Sequence, residues 1–188
     1  INLGTLYDTV GDVSRAELHF DFAPQQGIES VEQAQRIHEF FERKGDFPRL
    51  TGLWSDYLKQ SPDDALARSY LAWALVLDGK PQDARGQIAR VGAPARSIPV
   101  AQATVALLAL EEGRGDMVPL LGDRLASDGD AATRRRLLRA LERFDARKPG
   151  NAWTYYLTSV LLHADGQIEA SRAFLDLFAS QCSGASCA

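Results

Sequence analysis

The densest basic stretch of the chain is Arg134-Arg135-Arg136, extended by Arg139, Arg143 and Arg147. Guanidinium groups in such a run suit a phosphate, a nucleic acid or an acidic protein surface. The same arginines are interleaved with Leu137, Leu138 and Leu141. That is the lettering of an amphipathic helix whose charged face neutralises Glu142, Asp145 and the helix C-terminus. The net charge of −4 and a pI near 5.4 favour the second reading, since a protein that reads phosphates normally carries a basic face.

Other groups with chemical potential are scattered. Glu111-Glu112 and Asp63-Asp64 are adjacent acidic pairs that could hold a cation, but each falls where a helix is expected to end or begin. Asp12-Val13-Ser14 lacks the spacing of a calcium loop. His19, His38 and His163 lie far apart, and tetrahedral zinc needs four ligands in tight spacings. No G-x-S-x-G elbow, glycine-rich phosphate loop or H-E-x-x-H occurs. Catalytic, cofactor-binding and metal-binding residues are therefore not expected, and the chain does not read as an enzyme.

The two cysteines, Cys182 and Cys187, sit in a Ser/Gly/Ala tail. They either close a small disulfide loop or remain thiols in a frayed end. A disulfide would place the protein in an oxidising, extracytoplasmic compartment such as the periplasm. No signal peptide is visible before this point, although one could already have been removed.

These residues need a scaffold, and its signal is strong. Apolar residues make up 45% of the 188 positions and charged residues 24%, the usage of an ordinary folded protein. No run approaches the roughly 18 apolar residues of a membrane span. Gly11, Gly45, Gly79 and Gly113 stand 34 residues apart, each between two segments of helical periodicity. The segments before the turns include 30–44, 62–78 and 98–112; those after include 12–23, 46–59, 82–91 and 116–127. Ser30 with Gln33, and Ser61-Pro62 with Asp64, read as helix starts. A glycine at each turn supplies the positive φ that reverses the chain. The expected fold is therefore all-α.

The lettering around each glycine resembles the tetratricopeptide repeat. The first unit reads Leu3-Gly4-x2-Tyr7-x3-Gly11-x4-Ala16-x3-Phe20-x2-Ala23, and the second Ile37-His38-x2-Phe41-x3-Gly45-x4-Leu50-x3-Trp54-x2-Tyr57. The third reads Leu71-Ala72-x2-Leu75-x3-Gly79-x4-Ala84-x3-Ile88-x2-Val91; the fourth, from Val105 to Leu125, is degenerate. A further match begins at Trp153, with one extra residue near Gly166. His38 stands where a small residue is expected, so it either pushes two helices apart or reaches a polar partner. The period breaks at 131–146, a helical segment that is either unpaired or the start of a pair out of register.

The resemblance implies a right-handed superhelical solenoid of antiparallel helix pairs, about five repeats in one domain over 1–181. The units fall at about 1–28, 31–62, 65–96, 99–128 and 151–181, with an irregular helix at 131–146 and a flexible tail at 182–188. The first unit opens inside its first helix, which predicts further chain before Ile1. The resemblance also implies a concave groove, acidic over Glu32, Gln35, Glu39, Glu42 and Arg43. It turns apolar over Leu66, Ser69, Trp73, Val76, Leu77, Ala103, Leu107 and Leu110. Trp73 would anchor a peptide or partner helix there, unless superhelical curvature or the helix at 131–146 covers these side chains. The Lys/Arg/Asn clamp of chaperone-binding members is missing apart from Arg43.

The implied role is a non-catalytic scaffold for a protein or peptide ligand, within a bacterial assembly, secretion or biogenesis protein. A spacer or accessory domain of a larger enzyme is the rival reading, and phosphate or nucleic-acid binding through residues 134–147 the third.

Overall fold

In a computed structural model that describes residues 2–24, 27–28 and 30–182, eleven α-helices are present and no strand occurs among the described residues. The all-α expectation holds. The chain divides into two compact units, Ile1–Val91 and Gly92–Ala188.

The first unit contains α1 (Asn2–Thr9), α2 (Val13–Phe22), α3 (Val31–Lys44), α4 (Phe47–Gln60), α5 (Ala65–Leu77) and α6 (Pro81–Val91). Its glycine turns are built alike. Gly45 has φ 75°, its N–H donates to the carbonyl of Glu42, and the Asp46 N–H donates to that of Phe41. Gly11 and Gly79 repeat the arrangement. The two bonds satisfy carbonyls that a helix end leaves open, and the left-handed turn requires a residue without a Cβ. Asp12 and Asp46 then accept the N–H groups of Arg15 and Arg49 and start the next helix.

Within this unit α1 packs on α2, α3 on α4, α4 on α5 and α5 on α6. Aromatics fill the spaces: the rings of Phe20 and Phe40 lie 4.9 Å apart, and Trp54 stacks on Tyr70 at 4.8 Å. One expected boundary moves. Ser61 ends α4 by donating to Tyr57, and α5 begins at Ala65 with Asp64 as its cap. The Ser61-Pro62 start is thus corrected, because the backbone N–H of Ser61 is already used by the helix before it.

The second unit contains α7 (Pro99–Glu111), α8 (Val118–Ser127), α9 (Ala131–Arg147), α10 (Ala152–Ala164) and α11 (Ile168–Cys182). Gly113 and Gly166 close α7 and α10 with the same pair of backbone bonds as Gly45. They are 53 residues apart, 19 more than the period, and α9 with its flanks supplies the excess. Helix α8 packs directly on α10, as α4 does on α5, while α9 lies against α7 and α10. The break in the period thus coincides with one additional helix, α9.

Candidate interaction surface

The residues expected to line an apolar groove are mostly core. Ser69, Trp73 and Val76 of α5 are buried, as are Ala103, Leu107 and Leu110 of α7; only Leu66 and Leu77 are half-buried. Of the two expectations for these side chains, open in a groove or covered, their burial follows the second. Helices α5 and α7 are apolar on nearly every face, and such a helix is enclosed rather than set on a surface.

Trp73 is instead part of a buried polar cluster. Its indole N–H donates to Glu42 Oε1 at 2.6 Å, and that oxygen lies 3.8 Å from His38 Nε2. Trp54 donates to His38 Nδ1 at 2.8 Å. An indole N–H can only donate, so Nδ1 of His38 accepts and the ring proton sits on Nε2, towards Glu42. Glu42 therefore faces two N–H groups, which is how a buried carboxylate is kept. Gln35 donates to the Tyr70 hydroxyl at 3.1 Å and closes the cluster on its α5 side. His38 follows the second of its two expectations, since it reaches a polar partner. Glu42, expected at an acidic groove end, is enclosed with it.

The arginines of α9 are dispersed. Arg134 Nε lies 2.6 Å from Asp165, Arg147 donates to Glu111, and Arg136 is buried. Lys148 also donates to Glu111, while Asp64 serves as a helix cap. Among the described residues no group of three or more His, Cys, Asp or Glu side chains is placed to hold a metal ion. No helix among them is long and apolar enough to cross a membrane. Cys182 is the last residue of α11, and Cys187, with the rest of the proposed disulfide loop, lies outside the described residues.

The open apolar surface is elsewhere, on α1 and α2. Leu3 and Leu6 are 52% and 56% exposed, and Val10, Val13, Leu18 and Phe22 are exposed as well. One period later, at 37 and 40, Ile37 and Phe40 are 1% and 2% exposed. Phe40 is covered by Phe20 of the preceding helix pair. Three acidic side chains of that pair add to the seam: Asp8 binds Arg43, Glu17 binds Lys44 and Arg49, and Asp21 binds Arg49. Leu3 and Leu6 thus occupy a packing position that is filled in the second pair and open in the first. Comparing Leu3 with Ile37 and Leu6 with Phe40 in the sequence shows apolar residues at both, but not which of them is covered.

A depression of about 840 Å³ lies where the α7–α8 turn meets the α9–α10 turn. Its walls include Asp116, Lys148, Asn151 and Trp153, and the indole lies so close to Gly115 that a Cβ there would fall 1.8 Å from Nε1. Compared with protein-family models, with curated proteins and with solved structures, the chain finds no match.

Proposed function

We propose that the chain is a non-catalytic interaction scaffold of tetratricopeptide-like helix pairs, wound as a right-handed solenoid, within a larger bacterial assembly. Its partner is an amphipathic helix or helix pair docked on the apolar face of α1 and α2. The observation that carries this reading is the contrast between exposed Leu3 and Leu6 and buried Ile37 and Phe40 one period on. The five glycine turns with identical backbone bonding support the repeat character. Several exposed apolar side chains on one helix pair suit an interaction site, and the second pair supplies the chemistry of its occupant. At the equivalent place a helix inserts an aromatic ring, Phe20, over Phe40.

The test is affinity capture from cells that make the protein, with the wild-type chain and the double variant Leu3→Glu/Leu6→Glu. Both residues are exposed, so the variant keeps its helical circular dichroism. A partner held by the wild type and released by the variant supports the reading; a partner retained equally by both removes this face.

A further inference from the structure

Beyond protein docking, we infer that the second unit binds a small organic cation, an arylalkyl ammonium, in a cavity between α9, α10 and α11. The cavity has a volume of about 300 Å³, within the range of roughly 300–1,000 Å³ typical of ligand sites. Residues of α9 and α10 form most of its lining.

One part of the wall is apolar: Leu141 of α9, Leu162 of α10 and the rings of Tyr155 and Phe174, whose centroids are 6.3 Å apart. Another part is acidic, with Glu142 and Asp145 three residues apart on α9. No basic side chain lines the cavity. Acidic residues alone would be a solvated face. The independent observation is Thr154, in the same wall and only 1% exposed, whose Oγ1 has no hydrogen-bond partner among the described residues. Asp145 Oδ1 is likewise buried and unpartnered.

Buried polar atoms are ordinarily satisfied, and each one left open costs about 1–3 kcal/mol. A carboxylate oxygen can only accept, and a hydroxyl can accept. An N–H donor suits both atoms, and the charge of Asp145, with Glu142 at the rim, favours a cationic one. The aromatic wall suits the aryl or alkyl body of the same ligand. The cavity is small enough to limit that body to about one ring and a short chain.

The experiment uses the whole chain and calorimetric or NMR titration with 2-phenylethylamine, with 2-phenylethanol as the neutral counterpart. The amine is expected to bind saturably with a Kd of about 0.1–1 mM, and the alcohol at least about tenfold more weakly. Asp145→Asn should weaken the amine about tenfold. Glu142→Gln, at an exposed position, gives a second variant that leaves the fold intact and should weaken it in the same direction. Absence of saturable binding at about 10 mM amine by a folded chain, or equal binding of amine and alcohol, overturns the inference. It is overturned too if a capped lysine peptide binds more tightly than the amine, which would assign the cation to a protein side chain.

Discussion

The indole N–H of Trp73 donates to Glu42 Oε1 at 2.6 Å, joining α5 to α3 between two fully enclosed side chains. This bond carries a charge on one partner. Trp73→Phe should cost about 2–4 kcal/mol, from a cavity and from a buried carboxylate that loses a donor. Glu42→Gln should cost less, about 1 kcal/mol, because the amide oxygen still accepts. Urea unfolding of both variants checks the order. Equal costs would mean that the charge contributes nothing particular.

His38 and Trp54 form the complementary pair one turn away. In the first helix pair the corresponding positions are Gly4 and Phe20, and a Cβ on Gly4 would fall 2.9 Å from the Phe20 ring. His38→Ala should restore the small residue of the repeat yet destabilise the chain, by about 2–4 kcal/mol, because Trp54 loses its acceptor and a cavity opens. Gly4→Ala should cost about 1–3 kcal/mol through overpacking. A neutral His38→Ala in thermal or urea unfolding would contradict the role given to Nδ1.

Much of the fold was legible because its signals are local. A glycine with positive φ every 34 residues, Asp after the first two of them, and apolar letters at helical spacing each act within a few residues. The groove was not legible in the same way. Its positions were carried over by resemblance, whereas Ala67 to Val76 and Val100 to Leu110 are apolar on nearly every face of their helices, a pattern that itself marks burial. The hydrogen bonds of His38, Glu42 and Trp73 join residues up to 31 apart, and no local spacing encodes them. The break at 131–146 was visible; that α9 lies against α10 and lines a cavity depends on packing alone.

Glu17 provides the pH dependence. Hydrogen bonds from Lys44 first and Arg49 second hold its carboxyl below the ordinary value. A folded-state value below the unfolded one contributes stability above the unfolded value, lost as pH falls through the folded one. Relative to wild type, Glu17→Gln should therefore have a lower urea midpoint at neutral pH. The difference should shrink below about pH 4.5. A gap that is constant from neutral to acid pH would show that this carboxylate does not link the first two helix pairs.

Gly45 tests the turn. Its φ of 75° disfavours any side chain, although no atom would meet an added Cβ. Gly45→Ala should lower stability by about 1 kcal/mol through backbone strain alone, read as a shifted urea midpoint with an unchanged slope. A stabilised variant would contradict the left-handed closure.

The central claim is that the open face of α1 and α2 receives a partner helix. Site-specific cross-linking from a benzoylphenylalanine placed at Leu6, in cells that make the protein, addresses it most directly. A matched probe at Arg172, an exposed position on α11, serves as the control. The account predicts one discrete adduct from position 6, mapped to an amphipathic helix, and its loss when Leu3→Glu is added. No adduct, or the same products from positions 6 and 172, would contradict it.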